Sequence, residues 1–216
     1  EKYDFTTAAG ALASGYTRDS GSAFSEATGY GWITADDGAP FDFSINSRVR
    51  ATLNDISDGR LTSIMHLQYG KSSNPGTTGI TTEEGVWERV IPNGYYNVVV
   101  AAGDTSNGNF DSVHTLIVEG VTAVDHFDGA APVYFEQGIA TVHVTDGKLT
   151  IAPGLDAETK NTKISFVEIY QLPTPQLATP ADFTAVHNDE TEKVVLSWTA
   201  VPDAQGYNVY RSSTSP

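Results

Sequence analysis

The chain is expected to be all-β: a jelly-roll β-sandwich followed by part of an immunoglobulin-like β-sandwich. Three observations predict this. Short segments of alternating or β-branched residues recur along its 216 residues with turn residues between them. No segment keeps an i, i+3, i+4 apolar stripe over the length a helix needs. Asn-Gly and Asp-Gly pairs, which accept the positive φ of tight turns, punctuate the strands at Asn93-Gly94, Asp146-Gly147 and Asp58-Gly59.

The best-marked strands are VWERVI, YYNVVVAA, HTLIVEG, ATVHVTD, KLTIAP and TKISFVEIY, with weaker candidates at YDFTT, DFSIN and LTSIMHLQYG. VWERVI and YYNVVVAA, joined by Pro92-Asn93-Gly94, read as a β-hairpin. In YYNVVVAA, Tyr96, Val98 and Val100 point one way and Tyr95, Asn97 and Val99 the other, the pattern of a sheet with one face buried. The first and last strands of such a jelly roll are expected to be neighbours. After YYNVVVAA the sequence turns polar, GDTSNGNFDS, around Phe110. A loop of this kind at one end of a sandwich is where binding chemistry gathers.

At QLPTPQLATPA the prolines Pro173, Pro175 and Pro180 mark a stiff linker over 172–180. The expected organisation is a β-sandwich module at 1–171, this linker, and a second, truncated unit at 181–216.

Composition excludes several classes. Twelve basic against 27 acidic residues give a formal charge of −15, which repels phosphate backbones, so nucleic acid is not an expected partner. There is no cysteine, hence no disulfide, thiolate zinc site or cysteine nucleophile. No apolar run reaches the roughly 18 residues of a membrane span, and the N-terminus lacks the pattern of a signal peptide. Neither HExxH nor Gly-x-Ser-x-Gly occurs. The acidity suits a soluble exported protein, secreted or at the cell surface, and the absence of Asn-x-Ser/Thr sequons favours a bacterial one.

YDFTT…SGYT, ATGYGW, DGRLTSIMHLQYG…GVWERVIPNGYYNVVVAAGD and DSVHTLIVEG…VHVTDGKLTI…NTKISFVEI together resemble bacterial malectin-like, galactose-binding-type β-sandwich modules. The segment ADFTAVHNDETEKVVLSWTAVPDAQGYNVYRS resembles the opening of a fibronectin type III domain, with Trp198 on its B strand and Tyr207 and Tyr210 on its C strand.

The first resemblance implies a non-catalytic carbohydrate-binding module within a larger exported protein. Its partners would be a polysaccharide or oligosaccharide and the neighbouring domains of the same polypeptide. The alternative is a structural or adhesive spacer without a glycan site. Sugars are gripped by aromatic faces and by fixed carboxylates or amides. The zones that match malectin-type sites hold Tyr16, Tyr30 and Trp32, then Asp104, Phe110 and Asp111, then Asp156 and Asn161, and His114 follows the polar loop. Trp32 reads equally as core, Asp104 as a turn cap and Phe110 as a loop anchor; Trp87 reads as core. Jelly-roll modules of this type often carry a structural Ca²⁺ beside the paired first and last strands, which here implies Asp4 and Glu168 as ligands. The acidic loops TADDGAPFD and NDISDG are the other places for it.

Overall fold

The computed structural model describes residues 1–50, 57–70, 79–105, 111–156, 158–173, 179–202, 204 and 206–209. It divides into two compact units, Glu1–Leu172 and Pro173–Pro216.

The first unit is a two-sheet β-sandwich of jelly-roll type. Its strands are β1 (Lys2–Phe5), β2 (Thr17–Asp19), β3 (Tyr30–Thr34), β4 (Ser47–Val49), β5 (Ser63–His66), β6 (Gly85–Val90), β7 (Gly94–Gly103), β8 (His114–Val118), β9 (Val121–Phe127), β10 (Phe135–Val144), β11 (Lys148–Pro153) and β12 (Lys163–Gln171). One sheet runs β10-β7-β12-β1-β2, with β5 on the start of β12 and β4 on β5; the other runs β3-β6-β11-β8-β9. β1 lies antiparallel to β12 with Tyr3 opposite Val167, so the first and last strands of the unit are neighbours as expected.

Three expectations need correction. Pro92-Asn93-Gly94 does not close a hairpin: β6 lies in one sheet and β7 in the other, so the turn is an arch across the sandwich. Asp146-Gly147, between β10 and β11, makes the same crossing, and the two arches are tied together where Asn93 Nδ2 donates to Thr145 O at 2.8 Å and Ile91 N to Gly147 O at 3.0 Å. The tight hairpin joins β8 to β9, where Glu119 (φ 49°) and Gly120 (φ 75°) both take the left-handed region. DFSIN is also not a strand. Ser44–Asn46 forms a 3-10 turn, and Asn46 is buried, its Nδ2 donating to His66 O at 3.0 Å and its Oδ1 accepting from Thr81 N at 2.9 Å. Asp58 likewise caps a 3-10 turn at Gly59–Leu61 rather than a hairpin.

Alternation along β7 holds: Tyr96, Val98 and Val100 are buried inward while Tyr95, Asn97 and Val99 face out. Between the sheets Phe5, Trp32, Phe43 and Trp87 pack as tilted and edge-on pairs with centroids 5.5–5.8 Å apart. A carboxylate sits among them. Asp19 Oδ1 accepts the Trp32 indole N–H at 3.1 Å and Oδ2 the Trp87 indole N–H at 2.8 Å, and Gly21 N donates to Oδ1 at 2.8 Å.

In the second unit β13 (Thr184–Asn188) pairs antiparallel with β14 (Lys193–Ser197). Trp198 lies between Phe183 and Tyr207, at 6.4 and 5.1 Å. Gly206–Val209 is not in a strand, and Tyr210 lies outside the described residues. Phe183, Val186, Val194, Val195 and Val209 are all exposed.

Candidate functional site

At one end of the sandwich β7 gives way to the polar loop, β8 begins, β5 ends and β12 begins. Four expected site residues meet there: Asp104, Asp111, His114 and Asn161.

Their centre is a residue the sequence reading passed over. Lys163 heads β12, where β5 pairs with it through His66, and its ammonium is almost wholly buried. Lys163 Nζ donates to Ser112 Oγ at 2.7 Å and lies 3.2 Å from Asp104 Oδ2 and 3.7 Å from Asp111 Oδ1. Arg50 grips Asp104 from the other side, Nε to Oδ1 at 2.8 Å and Nη2 to Oδ2 at 3.2 Å. Burial works to raise the Asp104 pKa, but the two cations overcome it and hold the carboxyl well below the ordinary range.

Asn161 ties the loops together. Its φ of 51° is a left-handed conformation that Asn tolerates. Its Oδ1 accepts from His66 Nδ1 at 2.6 Å, and its Nδ2 donates to Ser112 Oγ at 3.0 Å. His114 takes the opposite tautomer, its Nδ1 accepting the Lys163 backbone N–H at 3.2 Å. Both imidazoles are buried beside the Lys163 ammonium. Burial first, and that charge second, lower their pKa values to about 3, so both are neutral at physiological pH.

The cluster is therefore a pedestal with an exposed rim. Asp104, His114 and Asn161 are buried and engaged in holding loop ends. Asp111 is exposed and accepts from Ser112 Oγ at 3.0 Å. Phe110, between Thr105 and Asp111 in sequence, lies outside the described residues. Asp156 stands apart, anchoring its own loop through Thr159 N at 2.9 Å and reaching exposed His126 Nε2 at 3.0 Å. Of the residues that sequence reasoning missed, Lys163 did carry a signal: an ammonium opening an otherwise apolar strand needs a buried partner. Arg50, His66 and Ser112 carried none, since only the fold brings them near Asp104 and Asn161.

The remaining aromatic candidates lie elsewhere. Trp32 is a correction: it is fully buried with its indole N–H given to Asp19, so it cannot offer a face to a sugar. Trp87 is core, as read. Tyr30 is half-buried against Tyr3 and Trp87, with centroids 4.8 and 6.4 Å away. Tyr16 donates its hydroxyl to Glu168 and stands edge-on to Phe166 at 6.2 Å.

Asp4 and Glu168 do not fit a calcium ion between them. Register sets Lys2, not Asp4, opposite Glu168, and Asp4 opposite Phe166. Glu168 accepts from Tyr16 and Tyr170 and lies 3.3 Å from Lys2 Nζ and 3.1 Å from Arg60 Nη1, so cationic side chains occupy the place of a metal. Burial raises its pKa, but these donors pull it down to about 2. Asp4 is buried, accepts Ala13 N at 2.9 Å, and is pushed up to about 6, chiefly by burial, which disfavours the charged form a cation needs. In the acidic loops, Asp37 accepts from Thr34 Oγ1 and Ala39 N, and Asp58 pairs with Arg60 at 2.7 Å. Among the described residues no group of three or more His, Asp or Glu side chains is placed to hold a metal.

No protein-family model and no curated protein matches this chain. Solved structures do. Protein YXIM of Bacillus subtilis is similar with a TM-score of 0.50 and 22% identity, covering 83% of this chain and 42% of that one. A chain in the structure of the plant peptide RALF23 with FER and LLG2 gives 0.47 and 12%, over 87% and 44%. The family 35 carbohydrate binding module from Clostridium thermocellum gives 0.32 and 14%, over 64% and 97%. The chain thus spans less than half the length of the first two. What the likeness to YXIM carries, at this identity, is the fold: a two-sheet β-sandwich.

Proposed function

We propose that the first unit is a non-catalytic carbohydrate-binding module of an exported multidomain bacterial protein, with a malectin-like sandwich followed by the start of a fibronectin type III domain. The observation that carries it is the convergence of Asp104, Asp111, His114 and Asn161 on one rigid end of the sandwich, with the Asp111 carboxylate at its rim. A polar rim on an immobile base suits weak, geometric recognition of hydroxyls. Catalysis is disfavoured by the same contacts. Glycoside hydrolysis needs a carboxylic acid of raised pKa, and Asp104 is held ionised by two cations. The family 35 module, itself a sugar-binding protein by name, is consistent with this reading without carrying it.

The rival is a structural or adhesive spacer, and one observation favours it: Asp104 and the buried histidines already have protein partners. A glycan array probed with the full chain separates the two readings. Binding that is lost in Asp111→Ala and Phe110→Ala, with the thermal midpoint retained, supports a glycan site at the loops. No binding across plant, algal and host glycans supports the spacer.

A further inference from the structure

The sheet edges of the first unit are guarded, with one exception. β2 and β4 are three residues long. β3 is flanked by bridges from Ala23, Ser25 and Pro40. β9 shifts register against β8 and carries Asp125 and the left-handed His126 (φ 48°). Short strands, covering segments, bulges and charge are the ordinary means by which an edge is kept from pairing with another chain. β10 has none of them. It runs for ten residues, keeps unbroken register with β7 and has no strand on its other side. From Gln137 to Thr145 it contains no Asp, Glu, Lys, Arg or Pro.

The hydrogen bonds around β7 show which backbone groups of β10 are open. Leu172 N donates to Tyr95 O, so Tyr95 turns its peptide groups toward β12, whereas Asp104 N, just past the end of β7, donates to Tyr134 O. Alternate residues of an antiparallel strand point to opposite sides, so the even-numbered residues of β7 face β10 and are answered by its even-numbered residues. The N–H and C=O groups of Gln137, Ile139, Thr141 and His143 therefore point away from β7, with no backbone partner among the described residues. Their four side chains are exposed, Ile139 by 65%. His143 stacks on Tyr95 at 4.1 Å and Thr141 Oγ1 donates to Asn97 Oδ1 at 2.7 Å, which hold the strand against β7. β9 approaches from the inner side: a Cβ on Gly138 would meet Ala123 O at 1.8 Å, on the side of buried Ala140 and Val142.

We propose that this edge pairs with the same edge of a second copy of the chain, antiparallel about a two-fold axis, so that two sheets become one. The register that uses all four open residues sets Ile139 of one copy opposite Thr141 of the other, and Gln137 opposite His143. Each pair exchanges two hydrogen bonds, about eight in all. A two-fold contact must be complementary to itself, and an uncharged strand meets that condition. Glu136, the nearest carboxylate on the strand, falls opposite Val144, and Ile139 gains a cross-strand neighbour. A basic partner would be drawn to a chain of formal charge −15 but would find no carboxylate from Gln137 to Thr145. The proposal is independent of the carbohydrate-binding reading.

The test is sedimentation equilibrium of the full chain from ~10 µM to ~1 mM, a range suited to a narrow and therefore weak interface. A monomer–dimer equilibrium is expected, and it should strengthen with added salt, because salt screens the repulsion between two acidic molecules. Ile139→Pro removes an N–H that points away from β7 and so breaks no bond inside the sheet. Ile139→Lys places a charge at the seam. Each should raise the dimer dissociation constant at least about tenfold, with the thermal midpoint of Ile139→Lys in dilute solution unchanged. Hydrogen exchange supplies a second reading: the amides of Ile139, Thr141 and His143 should slow as protein concentration rises, while those of Ala140 and Val142 are slow throughout. A dimer that survives both variants, or one without concentration-dependent protection of these amides, overturns the proposal. A chain that stays monomeric over the whole range, with these amides open, leaves the edge to a strand of a different protein and likewise overturns it.

Discussion

Asp19 and Asp104 are both buried carboxylates, and the protein satisfies them by opposite means. Asp19, between the sheets, accepts from two indoles and one backbone N–H. No cation appears among the causes that set its pKa, and burial raises it. Asp104, at the loop end, is clasped by a guanidinium and an ammonium, and its pKa is lowered. Neutral donors satisfy geometry without neutralising charge, so Asp19 acts as a spacer that fixes two tryptophans. Charged donors do both, so the loop end can hold four separate chain segments with little apolar contact.

Breaking the loop-end cluster should have the larger effect. Lys163→Met removes one of two cations from a buried carboxylate and leaves Ser112 Oγ with Asn161 Nδ2 as its remaining donor. A loss of about 3 kcal/mol is expected in urea unfolding. Adding Asp104→Asn to it should restore part of that loss, because the uncompensated charge is removed with its partner. A double variant no better than Lys163→Met would show that Arg50 alone balances Asp104.

Asp19→Asn should cost less, about 1–2 kcal/mol. The amide keeps one acceptor oxygen but turns its NH₂ toward an indole N–H, so one Trp32 or Trp87 hydrogen bond is lost. The near-ultraviolet circular dichroism of the tryptophans should change in this variant and stay constant in Lys163→Met. Equal losses in the two variants would erase the distinction between charged and neutral satisfaction.

Buried histidines at the loop end and a buried carboxyl on β1 respond to acid in opposite directions. His66 and His114 have folded pKa values of about 3 against an ordinary 6.5, so between these values the unfolded chain binds more protons and stability falls as pH is lowered. Asp4, opposite Arg18 in the β1–β2 pair, has a folded value of about 6 against 3.8, raised chiefly by burial. Between pH 6 and 4 the folded state binds more protons there, and stability rises as pH is lowered. Thermal midpoints taken from pH 7 to 4 should therefore fall less steeply in His114→Gln than in the wild type, and more steeply in Asp4→Asn. Parallel curves for all three would mean that these groups titrate as they do in the unfolded chain.

Much of the sandwich was legible because alternation is a local signal. The sides assigned to Tyr96, Val98 and Val100 in β7 followed from side-chain period alone. The arches were misread as hairpins because Asn-Gly and Asp-Gly specify a reversal and not the sheet to which the returning strand belongs. In the candidate site, Asp104, Asp111, His114 and Asn161 were found through their loops. Arg50, His66 and Ser112 lie 54, 95 and 49 positions from the residues they bind, a separation no local pattern reports. Trp32 failed for a related reason: its burial depends on Asp19, 13 residues away, which accepts its indole N–H.

Glu168 extends the comparison to a third carboxylate and gives the smallest expected effect. It takes two tyrosine hydroxyls, as Asp19 takes indoles, and two cations, as Asp104 does. A calcium ion binding there would have to displace Lys2 and Arg60, and the register sets Asp4 opposite Phe166 rather than Glu168. Exchanging EDTA for millimolar Ca²⁺ at pH 7 should accordingly move the thermal midpoint by no more than roughly 1 °C, since an ion stabilises only by binding the folded state. Lys2→Ala offers the sharper version. It removes a half-exposed cation and leaves Arg60 and the tyrosines in place, so stability should hardly change. A calcium-dependent rise in midpoint that appears in Lys2→Ala and not in the wild type would show that Lys2 stands in for the metal. A rise in the wild type itself would show that the folded chain binds the ion, against this expectation.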